Sequence, residues 1–293
     1  MSLSGPVESI GDPRAQRIAD LAKPGHKNTK VALIEDQEPL QNALRAGVRF
    51  IEVYYDDRHE PPSQLIEACA EAGAKIAAID SSLAMRLFKT DKRPKLFGLA
   101  LVPKPVPLAA LVERAGDIVV LDGVRIVGNI GAIIRTASGL GAAGVVLIDS
   151  GLSSIADRRL LRASRGYVFS LPVIVTTAGD FQAFVDRHKL ACVVLEADTR
   201  GQPTALTASA SVGSPASPSV AAKPTSLADL AAAPGRKALV FGSERTGASV
   251  QFRAGLPGPG TVTTVAIPMP GPVESLNVSV AVGIALYARL QAG

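Results

Sequence analysis

The chain has 293 residues, of which 47% are hydrophobic, 19% charged and only 4% aromatic, with no tryptophan. That length holds one large domain or two small ones, and so few rings leave a core of Val, Ile, Leu and Ala. The net charge of +5 and pI near 9.3 suit a polyanionic partner without demanding one.

Cys69 and Cys192 are the only cysteines, too few for a disulfide framework or a Cys-rich metal site. Both sit in apolar settings and read as small buried residues. His26, His59 and His188 are scattered, which argues against a His-based metal site or triad. The first residues lack the basic-then-apolar form of a signal peptide. No apolar run reaches the roughly 18–20 residues of a membrane span. The expectation is a soluble, cytoplasmic protein that uses no metal.

In chain order, residues 1–12 read as a loose tail. Asp12 then caps a helix over 13–22 with proline at its first position. Lys23, His26, Lys27 and Lys30 surround a Pro-Gly turn. Strands are expected at 31–34, 48–54, 75–79 and 96–102, with helices at 38–46, 62–72 and 81–87. Between the last helix and strand lies Phe88-Lys-Thr-Asp-Lys-Arg-Pro-Lys95, the densest positive run of the chain. Lys27, Lys30, Phe88, Lys89, Lys92, Arg93 and Lys95 are the candidate contacts of a polyanion such as RNA, the cations through phosphate, where a solvated basic surface is the plainer reading. Pro103-Lys-Pro-Val-Pro107 is a stiff linker and places a domain boundary.

Beyond it, a helix is expected at 108–115, followed by alternating strands (118–122, 144–148, 172–174, 190–195) and helices (129–140, 157–162, 180–188). The strands are continuous apolar runs, as in a parallel sheet covered on both faces. Gly139-Leu-Gly-Ala-Ala-Gly144 fits G-x-G-x-x-G, but a helix precedes it and a strand follows. That is the reverse of a dinucleotide fingerprint, so NAD is rejected. Residues 201–235 are rich in Ala, Ser and Pro and read as a low-complexity loop insertion.

Three strand-end loops carry the chemistry. The first is Ile118-Val-Val-Leu-Asp-Gly-Val-Arg-Ile-Val-Gly-Asn-Ile-Gly-Ala-Ile-Ile-Arg-Thr-Ala137, with Asn129 and Arg135 on a helix. The second is Leu239-Val-Phe-Gly-Ser-Glu-Arg-Thr-Gly247. The third is Ile267-Pro-Met-Pro-Gly-Pro-Val-Glu-Ser-Leu-Asn-Val-Ser-Val-Ala281, where prolines forbid regular structure until a helix capped by Ser275 begins. Singly, these residues read as caps, turn residues and a helix-surface charge. The inventory holds no Ser–His–Asp set and no Walker loop. It suits a reaction that needs positioning and charge stabilisation while a cofactor supplies the driving force.

Together, in this order and near this separation, the loops resemble the three motifs of the SPOUT class of RNA 2′-O-methyltransferases. Ile155-Ala-Asp-Arg-Arg-Leu, Arg162-Ala-Ser-Arg-Gly-Tyr-Val-Phe-Ser-Leu-Pro172 and, in the first half, Ala46-Gly-Val-Arg-Phe-Ile-Glu-Val-Tyr54 and Ile79-Asp-Ser-Ser82 resemble the thiostrepton/nosiheptide-resistance 23S rRNA methyltransferases. The resemblance implies an α/β fold. Residues 13–102 would form an L30e-like RNA-binding domain, 103–107 the linker and 108–293 a SPOUT domain with a deep trefoil knot. It also implies a homodimer, S-adenosyl-L-methionine as cofactor, and 2′-O-methylation of an adenosine in the thiostrepton-binding loop of 23S rRNA, giving thiopeptide resistance. Carried over position by position, Arg135 matches the catalytic arginine, Asn129 a residue that holds it or the substrate, Arg165 a second arginine, and Glu244 the glutamate of the second motif. Leu195, Gly242, Ser243, Ile267, Ser275, Leu276 and Asn277 match cofactor-binding positions. Another rRNA or tRNA target, and a non-catalytic RNA-binding relative, remain as alternatives.

Overall fold

The computed structural model describes residues 4–23, 30–89, 93–197, 226–243, 247–249, 252, 262–269, 272 and 275–291. Among them, strands build two sheets. The first half of the chain runs α1 (Pro13–Ala22), β1 (Val31–Glu35), α2 (Gln37–Arg45), β2 (Phe50–Asp56), α3 (Ser63–Glu71), β3 (Lys75–Ile79), α4 (Ser81–Phe88) and β4 (Leu96–Leu101). Its four strands form a mixed sheet in the order β1-β4-β2-β3, with β4 antiparallel to both neighbours. The second half runs β5 (Ile118–Asp122), α5 (Val127–Gly139), β6 (Gly144–Ile148), α6 (Arg158–Ala163), β7 (Val173–Thr176), α7 (Ala178–His188), β8 (Ala191–Ala197), α8 (Leu227–Ala232), β9 (Lys237–Gly242), β10 (Val262–Ile267) and α9 (Val278–Gln291). Its six strands are all parallel, in the order β10-β8-β9-β5-β6-β7.

Strand alternation sorts the core. Val119 and Leu121 of β5 face a cluster with Ile130, Ile133 and Ile134 of α5, Leu160 of α6 and Val282 of α9. That cluster continues into Leu40 of α2 and Ile34, Val53 and Ile76 of the mixed sheet, so one apolar core joins the two halves. Ile118 and Val120 face the opposite side, against Phe181, Phe184 and Phe252. A third cluster packs α1 and α4 on the outer face of the mixed sheet, around Tyr54 and Phe97.

Several expectations change. Residues 4–12 are not a loose tail: Val7 is fully buried and bridges Ile79, its N–H donating to Ala78 O at 2.9 Å. The helix expected at 108–115 is only a 3-10 turn over Leu108–Leu111. The carbonyls of Val112, Arg114 and Gly116 accept from the Arg236 guanidinium instead of from a following turn. Within the expected loop insertion, Leu227–Ala232 is helical because Ser226 and Asp229 form a reciprocal capping box. Residues 198–225 lie outside the described residues. Cys69 and Cys192 are buried thiols, and burial pushes them up to about 11 and about 12 respectively.

Two of the expected RNA contacts point inward. Phe88 is buried, edge-on to Phe97 at 5.0 Å and beneath the Arg158 guanidinium, so its ring is core and not a stacking platform. Arg93 turns from the basic run into the protein, to Asp56 at 2.8 Å and to the Ser81 hydroxyl. Asp56 is buried and also accepts from the Arg58 N–H at 3.0 Å and from Ser81 Oγ at 3.2 Å. Burial raises its pKa; the Arg58, His59 and Ser81 hydrogen bonds and the Arg93 charge outweigh that and hold it below the usual value. A depressed carboxylate stabilises the fold fully above its unfolded pKa, near 3.9, and loses that stabilisation as pH falls through the lower folded value. Asp56→Asn should therefore cost about 3 kcal/mol at pH 7, because Arg93 is left uncompensated. Urea denaturation across pH 3–7 checks this: the gap to wild type should shrink below roughly pH 4.

Candidate functional site

The parallel sheet has a topological switch point. From β5 the chain moves outward through β6 to β7, then crosses to β8 and returns with β9 between β8 and β5. Ligands of open α/β sheets bind outside the carboxyl ends of the strands at such a point. The carboxyl ends here are Asp122 and Gly242, paired in register, with Leu195 paired to Phe241 and Ile267 to Ala197 on the strands beside them. The three expected motifs all leave from this edge.

After β5, Gly123 turns with φ +73° and α5 begins at Val127. Asn129, in its first turn, accepts from Asn277 Nδ2 at 3.2 Å. Asn277, and not Ser275, caps α9: its Oδ1 accepts from the Ser279 N–H at 2.8 Å and from Ser279 Oγ at 2.5 Å. The first and third motifs therefore meet directly. Asn129 and Arg135 are six residues apart on one helix, about 9 Å along its axis and about 120° around it. Asn129 therefore faces α9, away from Arg135. Arg135 is exposed, and among the described residues it makes no ion pair.

Gly242 ends β9. Ser243 and Gly247 then exchange both backbone hydrogen bonds, at 3.1 and 2.9 Å, folding the second motif back over the strand end. A Cβ on Gly242 would overlap the backbone of Gly247 and Ala248. Glycine is thus required here by the returning loop itself, a closer constraint than approach of a ligand. Buried Asp122 accepts from the Ser249 N–H at 2.6 Å and ties that loop to β5. Asp122 was not singled out from sequence, since an acid after an apolar run reads as a turn residue. Glu244 lies outside the described residues.

Leu195 and Ile267 are buried in the core cluster that also holds Phe241 and Val278, with Leu276 packed against it, while Ser275 is exposed. The edge thus offers apolar side chains next to strand-end backbone and polar loop groups. That fits an adenosine-bearing cofactor, whose base needs apolar faces and whose edges need hydrogen bonds.

Arg165 follows α6. Gly131 lets α5 lie directly on α6, since a Cβ there would overlap the Ala163 backbone. This brings the Arg165 segment beside the first turns of α5. Its guanidinium meets Glu38 of α2 at 3.2 Å, both side chains half exposed. Of the expected RNA cations, Lys30, Lys89 and Lys95 are exposed. Lys30 precedes β1 and Lys95 precedes β4; these strands are antiparallel partners, which puts the two lysines at opposite ends of the pair. Lys27 and Lys92 lie outside the described residues. Two clefts, of about 360 and 390 Å³, lie at the amino edge of the parallel sheet, around Arg114, Asp117 and Gly141, away from the three motifs.

A parallel α/β sheet whose polar loops gather at one switch point has the arrangement at which open α/β sheets bind ligands. The chain belongs to the SpoU rRNA methylase family, whose model matches residues 117–287. Residues 5–114 match a second model, described as the N terminus of thiostrepton-resistance methylase. The chain is 44% identical to the 23S rRNA (adenosine(1067)-2′-O)-methyltransferase of Streptomyces azureus over 97% of this chain and 95% of that one. It is 46% identical to the enzyme of the same name from Streptomyces laurentii, over 95% and 92%. An AdoMet-bound rRNA methyltransferase from Sinorhizobium meliloti has the same fold, with a TM-score of 0.73 over 99% of this chain and 98% of that one at 21% identity.

Asn277 acts both as helix cap and as donor to Asn129, and the two roles separate by substitution. Asn277→Ala should lower stability by about 1 kcal/mol, the typical value of a cap. Asn277→Asp keeps the capping oxygen but loses the Nδ2 donor to Asn129, so it should lose less stability than Asn277→Ala. Urea denaturation of both variants checks this; equal losses in the two would contradict the assignment.

Proposed function

We propose that this chain transfers a methyl group from S-adenosyl-L-methionine to the ribose 2′-hydroxyl of an adenosine in the thiostrepton-binding loop of 23S rRNA, conferring resistance to thiopeptide antibiotics. The observation that carries the reading is identity of 44–46% to two enzymes named for that reaction, over nearly the full length and across both sheets. The contact between Asn129 and Asn277 supports it, because it assembles two separate motifs at the carboxyl edge.

S-adenosyl-L-methionine, when bound, supplies a methyl group already activated on a sulfonium. The chain's task is then to hold the 2′-oxygen in line with that methyl, about 3 Å away. Leu195, Ile267 and Leu276 would enclose the adenine, with strand-end backbone at Gly242 and Ser243 and the polar groups of Ser275 and Asn277 around it. Arg135 is exposed on α5, about 9 Å along the helix from Asn129. With a pKa above about 12 it is a poor base. Its role is to orient the ribose hydroxyl or the neighbouring phosphate and to stabilise negative charge developing on the oxygen. Glu244 would orient an arginine across the site.

Residues 13–102 serve as the RNA-binding part, joined through 103–107 to the methyltransferase domain at 108–293. There Lys30, Lys89 and Lys95 contribute salt-dependent phosphate affinity, with Lys27 and Lys92 assigned by the same charge argument. The L30e-like character of that part, the trefoil knot, the homodimer and a cytoplasmic location follow from the same reading.

The test is transfer of radiolabelled methyl to a 23S rRNA fragment carrying the loop. Wild type should label it, and Arg135→Ala should lose about 100-fold or more in rate, the scale of removing one charge-stabilising donor. Label on tRNA or on other rRNA instead would move the target and keep the chemistry. Cofactor bound by calorimetry with no transfer to any RNA would favour a non-catalytic RNA-binding relative.

A further inference from the structure

Helix α2 belongs to the first half of the chain, yet three of its residues act on the loop after α6 in the second. Asn42 sits on the apolar side of α2, 6% exposed, among Pro39, Leu40 and Ala43. Its Nδ2 donates to the carbonyl oxygen of Arg165 at 2.9 Å. A buried amide is costly unless its hydrogen bonds are made, so this position is specified by its partner. Arg165 adopts φ +50° and Gly166 φ +79°, two successive left-handed residues. The first is strained for a residue bearing a side chain and persists only where the surroundings impose it. Pro39 is part of that surround: a Cβ on Gly166 would overlap the Pro39 backbone. Glu38, one turn before Asn42, receives the guanidinium itself at 3.2 Å.

We propose that α2 positions Arg165: Asn42 fixes its carbonyl and so the strained turn, Pro39 packs beneath Gly166, and Glu38 sets the direction of the guanidinium. The first half of the chain is then more than an RNA tether, since it completes the geometry of the methyl-transfer site. This rests on the function proposed above. Asn42 is a positioning residue and touches neither RNA nor cofactor. The ion pair of Arg158 with buried Glu35, at 2.5 Å, and the Arg158 bond to Ala22 O at 2.7 Å fasten α6 to the same half of the chain.

The test compares full-length wild type, Asn42→Ala, Asn42→Leu, Arg165→Ala and the double variant Asn42→Ala/Arg165→Ala. The readouts are kcat and KM for the 23S rRNA fragment and the dissociation constant for S-adenosyl-L-methionine by calorimetry. Asn42→Leu keeps the buried volume while removing the donor, so it guards against a variant that merely unfolds. A misplaced site group costs between about 10- and 100-fold in rate. The expected result is a fall of that size in kcat for Asn42→Leu with the cofactor constant unchanged, and a double variant no slower than Arg165→Ala alone. Losses that multiply in the double variant, or an unchanged kcat in Asn42→Leu, would overturn the positioning role. Wild type inactive on every RNA would instead overturn the functional reading beneath it.

Discussion

Helix α9 is pinned at both ends, and the site depends on that. At its start, Asn277 donates to Asn129 at the carboxyl edge of the parallel sheet. At its end, Arg289 meets Asp117 at the amino edge at 2.7 Å and donates to the carbonyls of Leu230 and Gly235 at 3.1 and 2.7 Å. Asp117 immediately precedes β5 and Asn129 opens α5, so both anchors belong to one strand–helix unit, 172 and 148 residues from their partners. Fourteen helical residues span about 21 Å, enough to run the height of the sheet. Val282 and Ala285 are fully buried between the two anchors. Anchors at both ends oppose slide and roll of the helix and relate the third motif to the first.

With that relation fixed, the rest of the edge is a matter of backbone. The second motif folds back on itself through Ser243 and Gly247 and is tied to β5 by Asp122. Gly242 and Gly131 are glycines for the same reason: backbone of another segment occupies the space a Cβ would fill. The site therefore relies on strand ends, loop amides and a few short polar side chains. Methyl transfer with a pre-activated donor asks for that kind of site, where orientation supplies most of the rate. Arg135, exposed and outside any ion pair among the described residues, is left able to meet a phosphate or a ribose oxygen.

Much of this was legible in the sequence because the parallel strands are continuous apolar runs and their loops carry ordered motifs. β3, β5 and β6 fall at the expected residues. What was hidden depends on contacts far apart in the chain. Residues 4–12 look unstructured alone and gain order only by pairing beside β3. The expected helix after Pro107 stops short because Arg236, more than 100 residues later, takes its carbonyls. Phe88 and Arg93 read as surface because their neighbours are lysines; the partners that turn them inward, Phe97 and Asp56, come from other strands. Asn42 did leave a local signal, an amide on the apolar face of a helix, but its partner could not be named without the fold.

A ribose methyl on one adenosine leaves a chemical mark on the RNA. A 2′-O-methyl group removes the nucleophile of alkaline RNA cleavage, so a partial alkaline ladder of the treated 23S rRNA fragment tests for it most directly. The expected result is a single gap in the ladder, at one adenosine of the thiostrepton-binding loop, absent without S-adenosyl-L-methionine. An unbroken ladder from RNA that has nonetheless taken up methyl would place the group on a base and rule out ribose methylation.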